Sequence, residues 1–263
     1  WITPFTGSGG VIVGSTGVIT LNAAKVFNNG VPLTVNSGAS LNTSAANNYQ
    51  LNFGGNFINN AGTFTTNASP IVIENSMGTQ SIAGFTTTGT VSMTKTAGNA
   101  TFTGNVNGGA LTMNGSGGTL NLGSGFTHIF TGNWTRTNGT LNAGSSLIKI
   151  GGSVSGSGGT FNSETGTVEW NAAGPQTIAT VVYNNLTLSV SGAKTVTGAT
   201  INGKLSIEGT VTAAGSSPTY GASSTLQYKG SSAQTTSSVE LPATFIGSGG
   251  LIIDNLSGVI LAN

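Results

Sequence analysis

Cysteine is missing from this chain, histidine and aspartate occur once each, and charged side chains make up only 5% of 263 residues. Each scarcity closes a class of function. Without cysteine there are no disulfides and no thiolate metal sites. A calcium-loaded solenoid needs Gly-Gly-x-Gly-x-Asp repeats and several anionic oxygens per ion, which the lone Asp254 cannot supply. A Ser-His-acid triad or a histidine metal site has only His128 to draw on. That residue shares strand parity with Phe126 and Phe130, as a core histidine would. One arginine and six dispersed lysines, balanced by six acids to a net charge of +1, are too few to neutralise the phosphates of a nucleic acid. No nucleic-acid partner is therefore expected. No apolar run approaches ~18 residues, so no membrane insertion by a helix is expected either. A signal-peptide pattern is lacking and the first residue is Trp1, so a processed form or a segment of a longer chain is expected.

Helical periodicity is nearly absent too. Period-two alternation bounded by glycine and asparagine takes its place, as in Leu33 with Val35, Leu51 with Phe53, Leu111 with Met113, Leu186 with Leu188, and Leu205 with Ile207. Low charge and 43 glycines could signal disorder, but 37% of the residues are hydrophobic and arranged in these short alternating runs, enough to line a long, thin core. The glycines and asparagines between the runs suit corners where the backbone turns sharply.

The organising feature is a phrase repeated twenty positions apart. Gly139-Thr140-Leu141-Asn142 returns as Gly159-Thr160-Phe161-Asn162, and Ile148-Lys149-Ile150 as Val168-Glu169-Trp170. A period of about 20 residues with two or three short strands per period predicts an all-β fold, a right-handed parallel β-helix (β-solenoid). The whole chain, 1–263, reads as one elongated solenoid of about thirteen coils. With coils ~4.8 Å apart the rod is on the order of 60 Å long. A larger unit overlies the coil. Gly55-Asn56-Phe57, Gly132-Asn133-Trp134, Gly152-Ser153-Val154 and Gly203-Lys204-Leu205 each lead, six or seven residues on, to a Gly-Thr-apolar triplet. Strands ending in Ile73, Trp170 and Tyr228 follow in three of these units, and then Gln80-Ser81, Gln176-Thr177 and Gln234-Thr235. Residues 213–222, with Pro218 and Tyr220, are read as a loop insertion bulging from one corner.

The two ends match each other. Phe5-Thr6-Gly7-Ser8-Gly9-Gly10-Val11-Ile12-Val13 resembles Phe245-Ile246-Gly247-Ser248-Gly249-Gly250-Leu251-Ile252-Ile253, so the chain is expected to stop in nearly the register where it began. Neither end carries a polar cap, which isolated solenoids need. Something is expected to continue the stack: flanking solenoid repeats of the same polypeptide, or another copy of this one.

Residues with chemical potential point mostly to structure. Glycoside hydrolysis needs two facing carboxyl groups within roughly 5–10 Å. Among the scattered acids only Glu164 and Glu169 lie near one another in sequence, and Glu169 falls one period after Lys149, as a stacked outward partner would. Trp134 with Arg136 could form a sugar platform, but Trp134 holds the position of Phe57, Val154 and Leu205 in the other units, which predicts that it points inward. Thr-x-Thr pairs such as Thr63-Thr65 and Thr101-Thr103 fall short of an ice-binding array, because Asn, Ser and Ala interrupt the column. No catalytic, cofactor-binding or metal-binding residue is nominated, no cofactor is expected, and the chain is read as a non-enzyme.

The run from Gly132-Asn133-Trp134 through Gly139-Thr140-Leu141 and Gly166-Thr167-Val168-Glu169-Trp170 to Gln176-Thr177-Ile178 and Tyr183-Asn184-Asn185-Leu186-Thr187-Leu188 resembles the repetitive β-helix regions of large secreted surface proteins and adhesins of Bacteroidetes-type bacteria. The pattern covers residues 55–104 and 203–263 more loosely. The resemblance implies export to the cell surface or medium, and it brings no active-site motif. The leading expectation is an extracellular structural protein that stacks end to end into a filament, stalk or surface fibre. The alternative is an adhesin segment binding cell-surface glycans, and a polysaccharide-active enzyme ranks third.

Overall fold

A computed structural model describes residues 4–76 and 78–262. Among them every regular element is a β-strand, and the strands pair in parallel as a β-solenoid of about 11 turns. Alternating apolar and polar residues dictate this outcome. A strand sends successive side chains to opposite faces, and only stacking on the next coil buries the apolar face while pairing the backbone.

Three walls surround the core. One carries Val11–Val13, Leu33–Asn36, Phe57–Asn60, Thr79–Ile82 and Asn99–Phe102 in succession. The second runs from Phe85–Thr86 through Val106–Gly108, Thr127–Phe130, Leu147–Ile150 and Thr167–Trp170 to Thr225–Gly230 and Gly250–Asn255. The third includes Lys25–Val26, Leu51–Phe53, Ile71–Ile73 and Thr90–Met93. Most strands have two to five residues. Ala110–Asn121, Trp134–Asn142 and Thr200–Glu208 are longer because they continue around a corner.

Inside, like stacks on like. Ile148, Val168, Leu186, Leu205 and Leu226 form one column, and Ile150, Trp170, Leu188, Ile207 and Tyr228 its neighbour; all are buried. Such close-packed columns contribute the main stabilisation, about 25 cal/mol per Å² of apolar surface removed from water. The repeated phrases pair with each other: Thr119-Leu120-Asn121, Thr140-Leu141-Asn142 and Thr160-Phe161-Asn162 lie in register. The three asparagine amides form a ladder, each donating to the one before at 2.8 Å. Corners demand glycine where coils nearly touch. Gly144 has φ +61°, and a Cβ there would sit 1.9 Å from the Gly123 carbonyl oxygen.

Three expectations change. The interval of roughly 20 residues holds, but the coil count does not, because coil length varies around it: Lys25 pairs with Leu51, 26 positions on, whereas Trp170 pairs with Leu188, 18 on. The long coils toward both ends reduce thirteen turns to about 11, and the rod to about 50 Å at ~4.8 Å per turn. Nor do the matching ends share a register, because Val11–Val13 belongs to the first wall and Leu251-Ile252-Ile253 to the second. Finally, residues 213–222 do not bulge. Thr219–Tyr220 pairs in the wall with Thr200 and Ile201, and both Pro218 and Tyr220 are buried. The extra length sits in the last coil, where Leu226 pairs with Leu251, 25 positions on.

Candidate interaction surface

Residues singled out in the sequence take structural places. Lys149 and Glu169 are ladder partners with an ion pair of 2.8 Å, and Ser189 also donates to Glu169. Glu164 lies apart from that pair in an exposed corner turn with φ 46°, one coil beyond the glycine corner at Gly144. His128 is fully buried. The Val106 amide donates to its Nδ1 at 3.1 Å, which leaves Nε2–H to donate to the Leu122 carbonyl at 2.9 Å. Burial pushes the imidazole pKa below the usual histidine value. Trp134 and Trp170 are buried with ring centroids 6.2 Å apart, so neither offers a platform. The Arg136 guanidinium, itself buried, lies 5.3 Å from the Trp134 ring and donates to the Gly159 carbonyl. Thr101 stands between Ser81 and Asn121 in its column, which confirms that threonine does not repeat there.

A recurring device at the corners was visible in the sequence only as a spacing. Gln80 donates through one amide nitrogen to the carbonyls of Phe53 and Gly55, both at 2.9 Å. Gln176 does the same to Ile150 and Gly152, and Gln234 to Ile207 and Gly209. Each glutamine thus clamps the end of a strand in the preceding coil and the residue two further on. Phe53 and Ile150 also accept a backbone amide from the next coil, Glu74 and Asn171 respectively, so the glutamine amide adds a second, inward bond at the corner. Lys194, the ladder partner of Gln176, clamps Ala172 and Gly174 at 2.7 and 2.9 Å. Lys95 donates to the Gln80 side-chain oxygen at 2.9 Å. Both ammonium groups are fully buried, and burial pushes their pKa values down. The signal for this device was the glutamine six or seven residues after a strand. Its purpose needs the neighbouring coil to be seen.

The last coil is built differently. Its first wall is closed by an irregular segment rather than a strand, and the buried carboxylate of Glu240 holds that segment in place. Tyr228 donates to Glu240 Oε1 at 2.9 Å, the Ser237 amide donates to the same oxygen, and the Ser237 hydroxyl contacts Oε2. The Tyr220 hydroxyl donates to the Glu240 carbonyl. Burial first, and the Glu240 charge second, push the Tyr220 and Tyr228 phenols up, so both remain donors. Beyond this anchor the core row is uncovered. Leu251 and Ile253 are 42% and 48% exposed, whereas their ladder partners Leu226 and Tyr228 are 0%. Ile246, Leu256, Ile260 and Leu261 are also exposed at this end. An apolar cleft of about 460 Å³ opens beside them between Leu241, Phe245 and Leu261.

Elsewhere a cleft of about 510 Å³ is lined mostly by polar residues and glycines. It follows Asn121, Asn142 and the Ser124–Ser145 pair to Glu164, with no second carboxylate on its lining. Among the described residues no three His, Asp or Glu side chains gather into a metal-binding group, and no helix is long and apolar enough to cross a membrane. Comparison with known protein families, curated proteins and solved structures finds no match for the chain. The functional reading therefore rests on the geometry above, in which the open last coil is the most distinctive surface.

Proposed function

We propose that this protein is an extracellular structural rod, a β-solenoid segment of a filament, stalk or surface fibre that lengthens by addition of further coils at its end. The observation that carries the reading is the uncovered core row of the last coil. Leu251 and Ile253 continue columns that are sealed at every step before them. Burying such a row is favourable at about 25 cal/mol per Å². The unpaired strand edge beside it is a template for another parallel strand. Low charge and a surface of Thr, Asn, Ser and Gly fit an exported fibre, as does the resemblance of the repeats to secreted surface proteins.

The adhesin alternative finds no projecting loop at 213–222 to bind with, because Pro218 and Tyr220 are part of the wall. It keeps the polar cleft along Asn121 and Asn142, but those amides are already committed to one another. Imaging and sedimentation of the purified protein over a range of concentrations test the proposal. Rods longer than a single chain's ~50 Å are expected. Dispersed single-length particles at every concentration overturn it.

A further inference from the structure

One column of the interior changes character partway along the rod. Ile73, Met93, Met113 and Arg136 follow one another in register, and none is more than 7% exposed. The chain's single arginine thus takes the place that isoleucine and methionine fill in the coils before it.

Nothing in the protein answers its charge. Among the described residues no carboxylate pairs with Arg136. A guanidinium carries five N–H donors, and this one makes a single hydrogen bond, to the Gly159 carbonyl at 3.2 Å. The smaller ammonium of Lys194, buried likewise, has two carbonyls within 2.9 Å. Burial pulls the Arg136 pKa below the ordinary arginine value, as it does for a charge that has left water without gaining a counter-ion. The Trp134 ring, 5.3 Å from the guanidinium carbon, attracts the cation weakly and adds an unmet donor of its own, because its buried Nε1–H has no acceptor.

The next coil places no side chain over this group. Pairing to it ends at Thr135 with Ser155 and is taken up again beyond the corner, at Thr140 with Thr160. One period after Arg136 stands Gly156, with φ 75°, and the corner Gly156-Ser157-Gly158 carries one small, exposed side chain. The guanidinium is therefore bonded to a thin corner that is open to solvent. We propose that this corner binds one small monovalent anion of the chloride class, held by the Arg136 guanidinium with the Trp134 Nε1–H as a further donor. A buried cation is stabilised by a paired charge and a buried donor by an acceptor, and a halide supplies both. A divalent oxyanion would bring a second charge that nothing here answers. Independently of the end-to-end reading, the anion makes the stability of the middle coils halide-linked.

The linewidth of the chloride NMR signal in the presence of the protein tests the proposal. Saturable broadening that bromide reverses is expected. Arg136→Met, which extends the methionine column, is expected to abolish that broadening while circular dichroism shows unchanged strand content. At constant ionic strength, replacing gluconate by chloride should raise the Tm of the unaltered protein relative to that of Arg136→Met. Equal broadening in the two proteins, or none in either, overturns the proposal. Should the variant not fold, crystals of the unaltered protein soaked in bromide decide the matter. An anomalous peak in contact with the Arg136 guanidinium is expected, and a guanidinium that meets only water overturns the site.

Discussion

The middle of the rod and its last coil solve the same problem by different means. Between Asn99 and Trp170 most coils recur at 20 residues, so the backbone ladder is unbroken and apolar columns such as Ile148 with Val168 carry most of the interior. The coil after Tyr228 is 25 residues long, and its surplus cannot stay in the ladder. A side-chain network around Glu240 replaces the missing strand, and the apolar row beyond it lies open. Ladder pairing is cheap to repeat when coil length is constant. Each departure has to be held by specific buried polar groups.

Substitutions can separate these two regimes. The largest effect is expected from Trp170→Ala. It removes a fully buried side chain between Ile150 and Leu188 and should cost about 3–5 kcal/mol. Hydrogen exchange should show lost protection across several coils, since columns transmit the defect. An effect confined to one coil would mean that the middle is less cooperative than its columns suggest. Glu240→Ala should cost about 1–3 kcal/mol, because it leaves the Tyr228 hydroxyl and the Ser237 amide unpaired. Its loss of protection should stay within residues 229–260. Spread into the middle coils would erase the contrast between the regions.

Acidification probes His128 in the middle of the rod. His128 is neutral in the folded rod with a depressed pKa, while the unfolded chain takes up its proton near pH 6.5. The unfolded state therefore binds more protons below that value. Stability supplied by this residue is present above pH 6.5 and falls as the pH drops toward the folded pKa. As the chain's single histidine, it gives one imidazole NMR signal, which should show no titration at pH 6.5. A normal titration would contradict the buried Nε2–H arrangement. The smallest effect is expected for Lys149→Ala. It breaks a partly buried cross-strand ion pair and should lower stability by about 0.2–1 kcal/mol, less in high salt.

Much of the interior was legible from spacing. The inward placement of Trp134, Trp170 and His128 and the outward pairing of Lys149 with Glu169 follow from strand parity and a 20-residue interval. The clamps at Gln80, Gln176 and Gln234 were legible as a recurrence, not as a function, because each side chain serves carbonyls about 25 positions earlier. Residues 213–222 misled for a related reason. Pro and Gly mark a corner equally well whether or not the next residues return to the wall, as Thr219 and Tyr220 do.

By itself the sequence determined the kind of object: alternating short strands and self-similar phrases can bury their apolar faces only by stacking in parallel. Tertiary structure alone decided which wall each phrase occupies. Coil lengths between 18 and 26 residues accumulate along the chain, so equal phrases at Phe57 and Trp134 stand in different walls, and the matched ends lie one wall out of phase. Side-chain parity survives that drift because it is local to each strand. Position around the axis does not, because it is the sum of every coil before it.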